Sequence, residues 1–268
     1  MTTGTFWPRV MPLRFATKRA ATLVERNLLV YRQVWGVLVS GFFEPVFYLF
    51  SVTIGLGQLV GDITMPDGST VSYAAFVAPA LLGASAMNGP VFESFGIFFK
   101  LKYAKIYDGV LATPVTPQEI AVGEITWSQI RGALYSAAFL VVMGIMGLIE
   151  SWWGLLALPA AMLVGLAFGA VGMAATTYMR SWQDFDLVSL ATMPMFLFSA
   201  TFYPLDIYPE WLQTVARLSP LYHAVELIRA FTLGIIDSSI VGHVAFLLVM
   251  VFAGLAVAGR RIEALLLK

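Results

Sequence analysis

Six stretches of this chain are too apolar and too long to rest in water: 35–56, 73–99, 125–149, 155–178, 187–202 and 241–258. A hydrocarbon core about 30 Å thick takes roughly 20 apolar residues per helix. Only helices and closed barrels cross it with every backbone polar group satisfied. Composition agrees, since 59% of the residues are hydrophobic and 12% are charged, about half the charged share of soluble domains. The reading is an all-α membrane protein of six transmembrane helices, a single domain over 1–268. A chain of 268 residues with six spans has no room for a large soluble domain besides.

Lys and Arg set the orientation, because cytoplasmic flanks are enriched in them. Residues 1–33 carry six, Arg9, Arg14, Lys18, Arg19, Arg26 and Arg32. The segment 100–124 adds Lys100, Lys102 and Lys105, and the tail adds Arg260, Arg261 and Lys268. With Arg180 and Arg131, 14 of the 16 basic residues fall on one side, and Arg217 and Arg229 on the other. Both termini are therefore expected in the cytoplasm, the chain sitting in a bacterial inner (plasma) membrane. Met1 to Arg32 lacks the apolar core and small-residue cleavage site of a secretory signal. Phe15 to Arg32 reads as an interfacial helix on the anionic cytoplasmic surface, or as a solvated positive flank.

Between the fifth and sixth spans, residues 203–235 are too short in their apolar runs to cross and too apolar for a free loop. Pro209 opens one short helix near Glu210-Trp211-Leu212, and Ser219-Pro220 opens a second as N-cap and first position. Leu221, Ala224, Val225 and Ile228 share one face of that second helix. The expectation is a re-entrant hairpin on the outer side, with His223, Glu226 and Arg229 as a local polar cluster.

On the cytoplasmic side, Thr116 and Glu119 form a capping box with Pro117 in the first turn. A short capped helix there is a handle for a partner, or an ordinary tight connection. Within the spans, Glu44, Glu93 and Arg131 are ionisable, each costing about 2.5–3.5 kcal/mol at a bilayer centre. Counting about 1.5 Å per residue from the cytoplasmic ends puts Glu93 and Arg131 level, so they are expected to pair. Glu44 stands before Pro45, where a kink frees a carbonyl toward a pathway, or else it is hydrogen-bonded at a helix interface. Pro79, Asn88, Gly89 and Pro90 should break or bend the second span, and Gly165, Gly169 and Gly172 should pack closely against a neighbour.

Several classes find no footing. Without cysteine there is no disulfide, thiolate metal site or thiol nucleophile. Asp184 and Asp186 are two acids on a loop without further ligands nearby, and His223 and His243 are isolated in sequence, so neither metal nor hydrolase chemistry is expected. No phosphate loop of the Gly-x-x-x-x-Gly-Lys-Ser/Thr kind is present, so any ATP and Mg must be bound by another polypeptide. No cofactor is expected on this chain, no bond chemistry, and no nucleic acid among its partners.

The ordered features resemble the permease subunit of an ABC type-2 exporter. The resemblance spans the chain. It is carried by the basic segment Arg14–Arg32, the run Asp108-Gly109-Val110-Leu111-Ala112-Thr113-Pro114-Val115-Thr116-Pro117, and the outer run Phe202-Tyr203-Pro204-Leu205-Asp206 through Pro209-Glu210-Trp211 to Ser219-Pro220-Leu221-Tyr222-His223-Ala224-Val225-Glu226. It is similar in particular to permeases of nodulation lipo-oligosaccharide and daunorubicin-type drug exporters. The resemblance implies two cytoplasmic ABC ATPase subunits and a second permease copy or paralogue. It implies ATPase coupling through Tyr107, Asp108, Gly109, Thr113, Pro114, Thr116, Pro117 and Glu119, with the N-terminal interfacial helix and the helix at Thr116–Gly123 with its preceding segment in contact with the ATPase. It also implies a path or gate for an amphipathic drug, lipid or lipid-linked saccharide near Glu44, Asn88, Phe202, Tyr203, Trp211, His223 and Glu226, in contact with membrane lipids. An ion-coupled secondary transporter or channel using Glu44 and Glu93 is the alternative, and a lipid-acting membrane enzyme would need clustered acids or histidines that are missing.

Overall fold

The structure, a computed structural model, describes residues 18–33, 36, 43, 46–65 and 68–266. Four helices in it are long and apolar enough to cross a membrane. They lie within α3 (Tyr73–Lys102), α5 (Pro117–Ile145), α6 (Ala157–Thr176, with the preceding turn Trp152–Leu156) and α10 (Ser239–Leu266). Before them come α1 (Lys18–Gln33), a shorter apolar helix α2 (Val46–Val60) and the hairpin β1 (Asp62–Thr64) with β2 (Thr70–Ser72). Between α3 and α5 lies α4 (Ile106–Leu111), and between α6 and α10 lie α7 (Phe185–Phe198), α8 (Glu210–Leu218) and α9 (Pro220–Leu233).

Sequence explains which helix is central. α6 is built largely of Ala and Gly, so α3, α5, α9 and α10 can all approach its backbone. A Cβ on Gly169 would stand 3.2 Å from Pro90 Cβ, and one on Gly172 would stand 2.6 Å from Ser94 Oγ. The glycines of the small-residue stripe thus seat α3. On the other side Gly254 of α10 meets the α6 backbone, where a Cβ would lie 2.8 Å from Ala170 C. α3 is buried on nearly all sides from Tyr73 to Met87, where its sequence is almost wholly apolar, whereas α5 and α10 leave large apolar side chains such as Val141, Ile145 and Val249 exposed to face lipid.

Several expectations are corrected. The second span does not break: α3 runs unbroken through Pro79 and Pro90 to Lys102. A proline removes one donor, and neighbouring groups can take up what it frees. In the same turn Arg229 Nε donates at 3.3 Å to the carbonyl of Phe76, one residue after the Ala75 carbonyl that Pro79 leaves without its helical donor. The capped segment Thr116–Gly123 is not a separate helix but the first turns of the third span, because nothing after the Thr116 cap interrupts helix formation. The free-standing short helix is α4, which contains Tyr107, Asp108 and Gly109. The third span ends at Ile145, where Gly147 turns the chain at φ 70°, not at Ile149. The fifth apolar stretch forms a helix of only 14 residues, Phe185–Phe198. The sixth continues to Leu266. A two-stranded hairpin, paired Asp62↔Ser72, Ile63↔Val71 and Thr64↔Thr70, departs from the all-α expectation. The stretch expected as the first span lies partly outside the described residues, as do Glu44 and Pro45; its described end is α2, with a π turn over Val52–Leu56.

α1 is not a helix lying alone on a surface. It packs along the first turns of α5, with Leu23 and Asn27 buried. Leu28, Leu29 and Val30 stay exposed beside them.

Candidate functional site

At the cytoplasmic end, local chemistry fixes two helix starts. Glu119 N donates to Thr116 Oγ1 at 3.3 Å, and Thr116 N donates to Glu119 Oε2 at 2.8 Å, the reciprocal capping box. Thr113 Oγ1 donates back to Val110 O at 2.6 Å and closes the turn after α4. Asp108, Gly109, Thr113 and Pro114 stand exposed on this surface, while Tyr107 turns inward and is buried. Lys105 starts α4 in the left-handed region at φ 47°.

Tyr107 reaches a residue the sequence reading passed over. Its hydroxyl donates to Glu124 Oε1 at 3.0 Å. Lys100 Nζ bonds both carboxylate oxygens at 3.0 and 2.8 Å, and Asn27 Nδ2 donates to Oε2 at 3.2 Å. Glu124 is only 1% exposed, yet α1, α3 and α4 each send it a donor. Burial, then the neighbouring Glu124 charge and hydrogen bond, push the Tyr107 phenol up, so it stays a donor.

Two turns further along α5, Arg131 forms an ion pair with Glu93 of α3 and donates to Tyr31 OH of α1 at 2.6 Å. The guanidinium lies 4.7 Å from the Tyr31 ring centroid. Beside this pair opens a cavity of about 260 Å³ whose lining includes Tyr48, Ser85, Asn88, Arg131, Tyr135 and Phe196. Asn88 therefore faces a cavity that carries a cation and several hydroxyls. Phe202 touches its rim indirectly, its ring 5.2 Å from that of Phe196.

The outer residues assemble differently from the expected cluster. Arg229 is buried, pairs with Glu226, and donates to Ala200 O at 2.8 Å. Ala200 holds φ 54°, a strained conformation for a residue with a Cβ, at the end of α7. His223 is not part of that cluster and is not isolated: its Nδ1 lies 2.8 Å from His243 Nδ1 of α10, and its ring stacks on Phe246 at 4.0 Å. The two histidines are twenty residues apart and meet because α9 folds back against α10. Ser219 begins α9 as expected, but its hydroxyl bonds Ser199 Oγ at 2.6 Å and caps nothing. Tyr203 and Trp211 are exposed. Asp184 closes its own turn, accepting from Arg180 N at 2.7 Å and Ser181 N at 3.3 Å.

The missed residues are Glu124, Asn27, Tyr31 and Lys100 as a partner. Their signal was faint: Asn27 and Tyr31 are one turn apart on α1 and meet Glu124 and Arg131, two turns apart on α5.

Residues 19–233 match the ABC-2 type transporter family. Nodulation protein J of Rhizobium leguminosarum bv. viciae is 31% identical over 231 residues, covering 85% of this chain and 87% of that protein. Nodulation protein J of Rhizobium meliloti (strain 1021) is 33% identical over 214 residues, 78% of this chain and 79% of that protein. A probable doxorubicin resistance ABC transporter permease protein, DrrC, of Mycobacterium tuberculosis is 24% identical over 229 residues, 80% of this chain and 78% of that protein. Long apolar helices, the matched span of residues 19–233 and the identity to nodulation protein J agree, and the chain belongs to the ABC-2 type transporter family, as a multi-pass membrane subunit that works with an ABC ATPase.

Proposed function

We propose that this chain is the permease subunit of an ATP-driven exporter in the inner membrane, crossing it six times with both ends in the cytoplasm and pairing with a second permease. The observation that carries the reading is the joining of α1, α3, α4 and α5 at Glu124, beside the exposed surface of α4 that a cytoplasmic ATPase can press.

Parity supports six crossings. Lys102, the start of α5 at Pro117 and the tie from α1 to Glu124 share one side, so Ser72 and Ile145 share the other, and Glu150 N donating to Thr232 O at 2.9 Å holds the approach to Ser239 there too. The chain must then cross once between Gln33 and Ser72, through the stretch ending in α2, and once between Thr176 and Ser239. α7 alone rises about 21 Å, and the turn Trp182–Asp184 before it and residues 199–204 after it make up the remainder.

A substrate with a polar head and an apolar part fits what flanks α7. On one side lies the cavity with Asn88 and Arg131. On the other is a groove of about 480 Å³, walled by apolar side chains such as Phe168, Val171, Leu187 and Met195. Leu187, Leu190, Met193 and Leu197 leave one face of α7 exposed, a surface suited to the second permease. Trp211, Val215 and Leu218 form an exposed apolar stripe on α8 that suits the outer lipid interface. The ion-coupled alternative loses Glu93 as a proton carrier, since Arg131 holds it in an ion pair.

Purification from the native membrane should bring an ATP-binding subunit with the chain, and transport in vesicles should require ATP and ignore ionophores. Transport abolished by an ionophore and indifferent to ATP would overturn the proposal.

A further inference from the structure

We infer that Glu124 is the positioning residue that makes α1 and α4 move as one body with spans α3 and α5 when the ATPase drives the cycle. This rests on the reading of α4 as the ATPase-facing helix.

The argument begins with valence. An ionised carboxylate is acceptor-only and offers about four lone-pair sites. Glu124 fills them with contacts from Asn27, Lys100 and Tyr107, each from a different helix. A neutral amide does not reproduce the site, because a Gln leaves Lys100 without its countercharge and sets an N–H either against Lys100 or against a Tyr107 hydroxyl that must then accept instead of donate. Lys100 supplies the countercharge, so the buried site is paired.

Next comes leverage. α4 has six residues and lies between loops, with Lys105 in the left-handed region before it and Thr113 closing the turn after it. A push on exposed Asp108 and Gly109 would be absorbed by those loops unless something ties α4 to the spans. Tyr107 is the buried member of α4, set among Leu23, Ile97 and Ile120, and its hydroxyl ends on Glu124. Displacement of α4 therefore reaches α1, α3 and α5 together, with the Glu124 carboxylate as the directional tie added to this apolar packing.

A residue that merely stabilises the fold would change the melting temperature and nothing else, so the test reads transmission. The chain has no cysteine, and Ser238 is exposed at the far side, before α10. An environment-sensitive fluorophore on Ser238→Cys, in the permease reconstituted with its co-isolated ATPase, reports whether ATP with vanadate is felt there. Tyr107→Phe and Glu124→Gln should each keep the ATPase bound and hydrolysing while shrinking that signal at least about fivefold, the lower end of ordinary coupling factors. Combining them should shrink it little further, and Glu124→Asp should recover part. A full signal in Tyr107→Phe, which removes one hydroxyl and leaves the Lys100 pair intact, overturns the inference even if Glu124→Gln does not reach the membrane. A parent protein that binds no ATPase, or shows no nucleotide-dependent signal, overturns the permease reading and this one with it.

Discussion

Arg131 shows how a cation is kept inside a lipid-spanning helix. Glu93 neutralises it, Tyr31 accepts one of its hydrogens, and the rings of Tyr31 and Tyr135 lie 4.7 and 5.7 Å from the guanidinium carbon. Removing one member of a buried pair leaves an uncompensated charge, at a cost of about 3–5 kcal/mol. Glu93→Ala should therefore lower the thermal midpoint of the purified permease sharply, and the exchange Glu93→Arg with Arg131→Glu should recover much of the loss. An exchange no more stable than the single variants would mean that position, not charge complementarity, holds the helices. These two residues were legible because helical rise converts sequence distance into depth. Glu124 was not, because its partners Asn27 and Lys100 lie 97 and 24 residues away and no periodicity links them.

At the scale of elements, local rules carried far where the chemistry is local. The Thr116 box starts a helix, Ser219-Pro220 starts another, and Leu221, Ala224, Val225 and Ile228 turn together into the core. The rules failed where a tertiary neighbour decides, as with the pairing of His223 with His243. That pair has a consequence for α9. Two ring nitrogens 2.8 Å apart need one donor and one acceptor, and protonating both rings sets donor against donor. Burial, then the facing His243, lowers the pKa of His223 from its ordinary 6.5. The opened hairpin therefore binds protons more readily than the closed one, and the contribution of this contact, present at pH 7.5, is lost as the pH falls below 6.5. The backbone carbonyl of Arg217 accepts from His223, and the charges of Glu226 and Asp237 favour a proton on His243, but at His223 burial and the facing ring outweigh the Arg217 contact. The thermal midpoint should drop more between pH 7.5 and 5.5 in the parent chain than in His223→Asn/His243→Asn. Equal drops in the two would remove the histidine pair from the explanation.

For the whole molecule, the distribution of basic residues and the geometry of the ties are independent arguments for the same sidedness. The first uses only the count of Lys and Arg, 14 against 2. The second uses α1: because Asn27 binds Glu124 in the second turn of α5, on the carboxylate that Lys100 and Tyr107 also hold, the N-terminal helix must lie on the side of Lys100 and α4, whatever the charges say. A protein without cysteine allows the two sides to be read one residue at a time. A membrane-impermeant maleimide applied to intact cells stripped of their outer membrane should label Ser238→Cys and spare Gly109→Cys, and opening the inner membrane should expose the second. Both positions are exposed, so failure to react reports the bilayer and not burial in the fold. Labelling of Gly109→Cys from outside would put α4 beyond the reach of any cytoplasmic ATPase. The tie at Glu124 would then be a structural clasp, and the motor would have to engage the chain elsewhere.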